Sequence, residues 1–424
     1  MKRILPLITT LIMVSLACAT FTDLTGVEIP ETLDSRVSGT ATKDFPTLIS
    51  SEKAPTDTVK PIQETRTIEQ TKQTSTQPSQ PQTATQASSG ANATRMPCTP
   101  TLPAEKPNKD AYQTIIEPFE IVAPSGNRLY GLIRRPNPQE YPELCFPAVV
   151  LVPGGINPGR MLAHGRDAEV LSGSGMVVVT FNAEGRVDES PDDILSEGTE
   201  DYNGFRQQDG LCAIVSYIME QSYVIPDNVG ISTQSYGITM GAGCVGRYPE
   251  IPIKYLVDGE GPSSSFTTCH GPRFLAGEVE KYNTVKRIFP NLAIWQDSSQ
   301  ENLDWWAERE AVNLIGDFRG YYLRLQAKWD HAQPPDNEAQ IARFYRPNGW
   351  TEGAPAWWHN KHAADMVNAA VNGGVPWVRV NLPPQGNPVN ATYDANHMPV
   401  FLPERLADRP WSVQAILEMV NIKE

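Results

Sequence analysis

The sequence predicts an α/β protein built on a doubly wound, mostly parallel sheet. Several runs are almost wholly apolar, among them FPAVVLVPGG at 146–155 and MVVVTFNAEG at 176–185. Strands with continuous apolar residues are buried on both faces, which is typical of a parallel sheet covered by helices. Segments with helical spacing separate these runs, so the chain alternates between β and α units.

The predicted elements begin after residue 111. Two strands, YQTIIEPFEIV and RLYGLIRRP, flank the turn PSGN. Further strands are predicted in NVGIST, IKYLVDGEG, YYLRLQAK and PWVRVNL. Helices are predicted in RMLAHGRDAEVLSGSG, YNGFRQQDGLCAIVSYIMEQ, residues 236–247 and PWSVQAILEMVN. Residues 262–318 have helical patches but no clear strand, which predicts a cap over the carboxyl-terminal edge of the sheet, where doubly wound sheets bind ligands.

Residues 18–110 have the composition of a disordered linker ahead of a domain at 111–424. No Phe, Trp or Tyr occurs from Pro46 to Ala111. Such a stretch buries too little apolar surface to offset the entropy of ordering it. It is rich in Thr, Ser, Gln and Pro, which keep a linker solvated.

Residues 1–17 have the pattern of a signal peptide. Lys2 and Arg3 precede the apolar run ILPLITTLIMVSLA, which is too short to span a membrane comfortably. The ending SLAC resembles a bacterial lipobox, in which the cysteine, here Cys18, is acylated and becomes the mature N-terminus. Ser15 stands where leucine is usual, and an ordinary secretory signal is the alternative. Both interpretations predict export, and the lipobox predicts a lipid anchor on the extracytoplasmic side of a membrane.

Charge and cysteine content restrict the partners. The net charge of −14 disfavours nucleic acid as a partner, because an acidic surface repels a phosphate backbone.

In an exported protein a disulfide is expected. Cys98 and Cys145 flank the entry to the domain, and we predict that they form one. No pair of cysteines has C-x-x-C spacing, so a thiolate metal site is not expected.

Ser235 has the surroundings of a catalytic serine. It follows the predicted strand NVGIST and precedes a small-residue helix, and a sharp turn there aims helix N–H groups at the serine. The pentapeptide TQSYG at 233–237 resembles the nucleophile elbow G-x-S-x-G of the α/β-hydrolase superfamily, with Thr233 in place of the first glycine. The element order over residues 112–424 resembles that fold as well. A helix-capping serine is the alternative interpretation.

The resemblance implies a triad in the order serine, acid, histidine. Asp330, in KWDHAQPPDN, follows a predicted strand at the expected place of the acid, with Asp336 and Asp258 as alternatives. His397, in YDANHMPVFLP, follows the last strand and is the expected base. The competing histidines are His164, His270, His331, His359 and His362. The last two have H-x-x-H spacing, and we expect them on a solvated helix face rather than on a metal.

The resemblance also implies an oxyanion hole. The N–H of Tyr236 is one expected donor, and Gly155 or Ile156, in PGGINPGR, supplies the other. Arg186, in FNAEGRVDES, is expected to pair with a substrate carboxylate or with a neighbouring acid, Asp188 or Glu189.

The activity implied is hydrolysis of a carboxylic ester through an acyl-enzyme, without a metal or an organic cofactor. A dipeptidyl-peptidase-like serine peptidase is one alternative, so the substrate is a small-molecule or peptide acyl donor. A surface lipoprotein that uses the same fold only for binding is the other. The Trp pair Trp305 and Trp306 in the cap is suited to an apolar or sugar-bearing acyl group, or to packing.

Replacement of Cys18 tests the predicted anchor. In cells fed labelled palmitate, the wild-type chain should incorporate label and sediment with membranes, whereas Cys18→Ala should do neither, because attachment depends on the acyl chains. Cys98→Ala is the control and should remain labelled. An unlabelled wild-type chain would favour an ordinary secretory signal.

Overall fold

A sheet of nine strands forms the centre of the part of the chain that the structure describes. The computed structural model describes residues 98–188, 194–263, 300–326, 357–381 and 411–422. The strands are β1 (Thr99–Pro100), β2 (Thr114–Val122), β3 (Arg128–Pro136), β4 (Leu144–Val152), β5 (Val177–Phe181), β6 (Val224–Gln234), β7 (Tyr255–Gly259), β8 (Tyr321–Leu325) and β9 (Trp377–Val380). The α-helices are α1 (Arg166–Gly173), α2 (Phe205–Met219), α3 (Ile238–Arg247), α4 (Gln300–Ala307), α5 (Trp357–Gly373) and α6 (Trp411–Asn421).

The strands have the order β2-β3-β5-β4-β6-β7-β8-β9, and β1 pairs with β4. The pairs β2–β3 and β3–β5 are antiparallel, and the remaining neighbours from β5 to β9 are parallel. The chain runs from β4 to β5 on one side and later to β6 on the other side. The order therefore reverses at β4, and such a switch point opens a crevice at the carboxyl ends of the strands. This architecture confirms the predicted fold class, a mostly parallel, doubly wound sheet covered by helices.

Apolar layers cover both faces of the sheet. Val150 contributes to the face covered by α2, α3 and α5, whereas its neighbour Val149 faces α1 and α6. Val178 and Val179 of β5 divide in the same way. Because successive side chains of a strand point to opposite faces, a strand between two helical layers must be apolar throughout. This is the physical origin of the continuous apolar runs.

Two helices differ from their predicted bounds, in each case where the backbone departs from the α-helical conformation. The segment 160–175 divides into a 3₁₀ helix at Arg160–His164 and the helix α1, because Gly165 is extended between them. The helix predicted from residue 236 begins at Ile238, after a 3₁₀ turn at Ser235–Gly237. Of the predicted cap, residues 264–299 lie outside the described residues. The described remainder contains α4 and two 3₁₀ turns, in agreement with helical patches.

The start of the described chain is fastened to the domain. A disulfide joins Cys98 to Cys145, as predicted, and Thr99–Pro100 pair with β4. Residues 98–110, assigned to the linker from composition, make domain contacts, such as the bond from the backbone N–H of Asn108 to Ser174 Oγ at 2.9 Å. A second disulfide, Cys212–Cys244, joins α2 to α3. Residues 1–97, with the predicted signal peptide, Cys18 and most of the linker, lie outside the described residues. No described helix has the length and hydropathy to cross a membrane.

Removal of the Cys98–Cys145 disulfide should destabilise the domain. The bridge spans 47 positions of the sequence, and its loss in Cys98→Ala/Cys145→Ala should lower the free energy of unfolding by about 2–4 kcal/mol, since the unfolded chain gains freedom. Urea unfolding followed by circular dichroism measures the change. Cys269→Ala, which breaks neither disulfide, is the control. Equal stability of the double variant and wild type would contradict the prediction.

Candidate active site

Ser235 lies in the sharp turn between β6 and α3. Its backbone φ is 50°, a left-handed conformation that non-glycine residues rarely adopt. The residue is buried, and its Oγ has no hydrogen-bond partner among the described residues. The serine therefore does not cap the helix, which excludes the alternative interpretation of the sequence.

Two glycines allow this turn to close. A β-carbon on Gly237 would lie 2.4 Å from the carbonyl oxygen of Pro153, so the approach requires glycine. Thr233 occupies the position of the first elbow glycine, and a β-carbon on Gly241 would lie 2.5 Å from its Cγ2. The Thr233 hydroxyl donates to the carbonyl of Val257 at 3.3 Å. Thr233 fits at this position because the facing residue of α3, Gly241, has no side chain.

The glycine-rich loop after β4 lies against the serine. A β-carbon on Gly154 would lie 3.0 Å from Ser235 Cβ. Asn157 donates to the Gly154 carbonyl from its backbone N–H at 3.4 Å and from Nδ2 at 2.9 Å. The loop therefore brings Gly155 and Ile156, the two alternatives for an oxyanion donor, close to the serine turn.

Aromatic side chains pack beside Tyr236. Its buried ring lies 4.9 Å from that of Tyr202, centroid to centroid, and its hydroxyl donates to the Tyr202 carbonyl at 3.4 Å. Trp305 stacks on Tyr202 at 5.8 Å, and the Arg309 guanidinium lies 3.7 Å from the centre of the Trp305 ring. Trp306 is buried, whereas Trp305 is half-buried. Packing therefore accounts for Trp306, and Trp305 keeps an exposed part.

Arg186 forms a buried ion pair with Glu200. Its Nε and Nη2 donate to the two carboxylate oxygens at 2.8 and 2.9 Å. Asp188, an expected partner, instead binds Arg160 at 2.9 Å, and Glu189 lies outside the described residues. The alternative in which Arg186 pairs with Asp188 is therefore wrong, because Asp188 is engaged by the loop after β4.

The environment of Glu200 keeps it ionised. Burial by itself would raise the pKa of this carboxyl, but the charge of Arg186 and its hydrogen bonds outweigh burial. The backbone N–H of Tyr202, at 2.8 Å, and the side chain of Gln207 add to the effect. The pKa of Glu200 therefore lies below its ordinary value of 4.5.

Asp258, an alternative to Asp330 as the acid, belongs to a second buried cluster. Its Oδ2 accepts from Arg324 Nη1 at 2.8 Å and from the Tyr322 hydroxyl at 2.7 Å. Its Oδ1 accepts from the backbone N–H of Gly261 at 3.0 Å. Both charged side chains are fully buried, so each neutralises the other. Oδ2 of Asp258 thus joins β7 to β8, and Oδ1 binds the loop that follows β7.

His362 is buried, which corrects the prediction of a solvated helix face. Its Nδ1 accepts a hydrogen bond from the backbone N–H of Ser263 at 3.2 Å, and the Ser263 hydroxyl donates to Asp365 at 3.1 Å. Met366, one turn later on α5, is also buried, so this face of the helix packs inward. His164 is exposed on its 3₁₀ helix. No group of three or more potential metal ligands occurs in the described ranges.

The predicted acid and base lie outside the described residues. This holds for Asp330 and His397, for His270, His331 and Asp336, and for the side chain of His359. The strands that lead to them are described. In register, Gln234 pairs with Gly259, Gly259 pairs with Leu325 and Arg324 pairs with Val380. The strands β6, β8 and β9, which precede Ser235, Asp330 and His397 in the sequence, therefore end at the same edge of the sheet.

The sequence analysis did not identify Asn203, whose side chain binds the carbonyls of Tyr236, in the serine turn, and of Gly155, in the loop after β4. Tyr202 and Asn203 both have left-handed backbones, with φ of 53° and 60°. Asn203 is followed by Gly204, and an Asn-Gly pair before a helix is a turn signal in which asparagine tolerates this conformation. That signal was present in YNGFRQQ, but it does not say which carbonyls the side chain binds.

Comparisons with known proteins give only distant likenesses. No protein-family model matches the chain, and no curated protein matches it. Dipeptidyl peptidase 4 of Porphyromonas gingivalis has a TM-score of 0.39 and 14% identity over 64% of this chain and 32% of that one. Acetyl xylan esterase 1 of Thermoanaerobacterium has a TM-score of 0.40 and 15% identity over 73% of this chain and 90% of that one. An esterase of Rhizomucor miehei has a TM-score of 0.41 and 14% identity over 73% of this chain and 84% of that one.

The chain spans about a third of the length of the dipeptidyl peptidase that it matches. These likenesses are too distant to bear on its activity.

Removal of the Glu200 charge should lower the stability of the folded protein by an amount that depends on pH. A carboxylate with a lowered pKa stabilises the folded state above about pH 4.5, and this contribution disappears as the pH falls through the folded-state pKa. Glu200→Gln should therefore lower the free energy of unfolding at pH 7 by about 1–3 kcal/mol, and the difference from wild type should shrink below pH 4.5. Urea unfolding between pH 7 and pH 3 measures it.

Glu197→Gln is the matched control for this substitution. Glu197 pairs with Arg128 in an exposed position, where solvent screens the interaction. Its replacement should change stability far less. A difference between wild type and Glu200→Gln that stays constant across this pH range would contradict the argument.

Proposed function

We propose that the chain is a serine hydrolase that cleaves carboxylic esters, with Ser235 as the nucleophile. The observation that carries the proposal is the conformation of Ser235, left-handed, buried and without a described hydrogen-bond partner. A left-handed backbone costs about 1–2 kcal/mol in an L-residue. Strain of this kind persists mainly at functional sites, where the surrounding structure holds it in place.

The position of the serine supports the same function. Ser235 follows β6 and faces the glycine-rich loop that follows β4. These two loops border the point where the strand order reverses, which is where doubly wound sheets bind ligands. A nucleophile elbow occupies this place in the fold.

In the proposed reaction, His397 takes the proton of Ser235 as Oγ attacks the ester carbonyl, and Asp330 orients the imidazole. The N–H of Tyr236 and that of Gly155 or Ile156 stabilise the oxyanion. The tetrahedral intermediate expels the alcohol, which receives the proton from His397. Water then attacks the acyl-enzyme by the same route and releases the acid and the free serine. An ester is the proposed substrate because an alkoxide leaves more readily than an amide nitrogen.

We also propose that the protein is exported and held to a membrane by lipid at Cys18. The signal-like residues 1–17 and the linker composition up to residue 110 support this location. The folded domain would then act at the extracytoplasmic surface.

A fluorophosphonate probe tests the nucleophile. The wild-type protein should be labelled covalently, and Ser235→Ala should not be labelled, because the probe phosphonylates an activated serine. Ser263→Ala is a matched control, since Ser263 is also buried but follows β7, and this variant should still be labelled. Mass spectrometry of the labelled peptide identifies the site.

Substrate panels separate the reactions. The wild-type protein should hydrolyse p-nitrophenyl esters faster than aminoacyl-p-nitroanilides, and Ser235→Ala should lose at least about 10³-fold in kcat. Faster cleavage of the anilides would favour the peptidase. No labelling and no hydrolysis by the folded wild-type protein would favour the binding protein and overturn the proposal.

A further inference from the structure

A single amide group bridges the two backbone segments of the proposed oxyanion hole. Nδ2 of Asn203 donates to the carbonyl of Tyr236 at 2.9 Å and to the carbonyl of Gly155 at 3.3 Å. Tyr236 belongs to the serine turn, and Gly155 belongs to the loop after β4. Asn203 itself lies before α2 and is fully buried.

The orientation of this amide is unambiguous. Oδ1 of Asn203 accepts from Arg186 Nη2 at 2.6 Å. Because a guanidinium has only donors, the oxygen must face Arg186 and the NH₂ group must face the two carbonyls. An NH₂ group has two hydrogens, one for each carbonyl.

Asn203 is itself held firmly in place. Its backbone N–H donates to Gln207 Oε1 at 2.7 Å, and Arg186 Nη2 donates to the same oxygen at 3.2 Å. Arg186 is in turn anchored by its ion pair with Glu200. The left-handed backbone and the side chain of Asn203 are thus held in place by buried polar contacts.

The bond to Gly155 also determines the direction of a donor. The Gly155 carbonyl and the Ile156 N–H belong to one trans peptide group, in which they point in opposite directions. A carbonyl fixed by Asn203 therefore fixes the Ile156 N–H. The Tyr236 carbonyl belongs to the residue whose N–H is the other proposed donor.

We propose that Asn203 is a positioning residue for the oxyanion hole. It sets the distance between the serine turn and the loop after β4, and it orients the N–H of Ile156. This inference rests on the proposed function. Asn203 contacts neither substrate nor nucleophile in this role, so its loss should weaken stabilisation of the transition state and leave substrate binding nearly unchanged.

Two variants of Asn203 test the role. Asn203→Gly removes both donors, and glycine tolerates the left-handed backbone. Asn203→Asp keeps the acceptor for Arg186 but has no NH₂ group. On p-nitrophenyl acetate, both should lower kcat by about tenfold to a hundredfold, with KM within about twofold. The pH–rate profile of Asn203→Gly should keep its wild-type midpoints, because no titrating group changes.

The same two substitutions at Asn228 are the matched controls. Asn228 is also buried, and its Nδ2 donates to a backbone carbonyl, that of Val420, at 3.1 Å. It lies in the first half of β6, away from the end of the strand that leads to Ser235. These variants should lose comparable thermal stability yet keep kcat within about twofold of wild type.

The outcomes separate the two proposals. A wild-type protein that neither reacts with the fluorophosphonate nor hydrolyses the ester would overturn both. If the wild type is reactive and the folded Asn203 variants have the same kcat as wild type, the role of Asn203 alone is overturned. The same holds if these variants differ from wild type only in KM. Equal losses of kcat at Asn203 and Asn228 would do the same, since they would show a general effect of destabilisation.

Discussion

The left-handed turn at Ser235 is the constraint on which the site depends. Other backbone segments approach this turn closely. The carbonyl of Pro153 requires glycine at position 237, and Gly154 lies against the β-carbon of the serine. On the helix side, Gly241 leaves space for Thr233. The strain at one residue is thus maintained by contacts with the loop after β4 and with α3, which packs against the sheet.

Buried polar groups hold the loops around this turn, in addition to the aromatic packing of Tyr202 on Tyr236. Strands and helices bond their own backbone groups, but loops at the strand ends have carbonyls and N–H groups that need other partners. Asn203 bonds two such carbonyls, and Asn182 Oδ1 accepts from the backbone N–H groups of Gly159 and Arg160. The loop after β4 is therefore held at both ends by asparagine side chains.

Two buried arginine–carboxylate ion pairs flank the turn. Arg186–Glu200 lies on the β5 side, and Arg324–Asp258 lies on the side of β7 and β8. A buried charge is costly unless its hydrogen-bonding groups are satisfied, and each arginine also donates to a neighbouring backbone carbonyl. In each pair the arginine binds both a carboxylate and a backbone carbonyl, so the ion pair also fixes the position of a loop at the carboxyl-terminal edge of the sheet.

Local sequence patterns determined the elements and the turn. Continuous apolar runs predicted the buried strands, and a serine between a strand and a small-residue helix predicted the elbow. The sequence also indicated the Cys98–Cys145 disulfide from its position at the entry to the domain. Each of these features depends on residues that are close in the chain or on a pattern with a short period.

Only the tertiary structure decided which polar groups meet. Arg186 binds Glu200 rather than Asp188, His362 faces the interior, and Asn203 bridges two loops that are distant in sequence. Composition allowed each alternative, since a charged or amide side chain has several possible partners nearby. The choice follows from how α2 and α5 pack on the sheet, because burial makes an unpaired polar group costly and so selects the partner that the fold brings within reach.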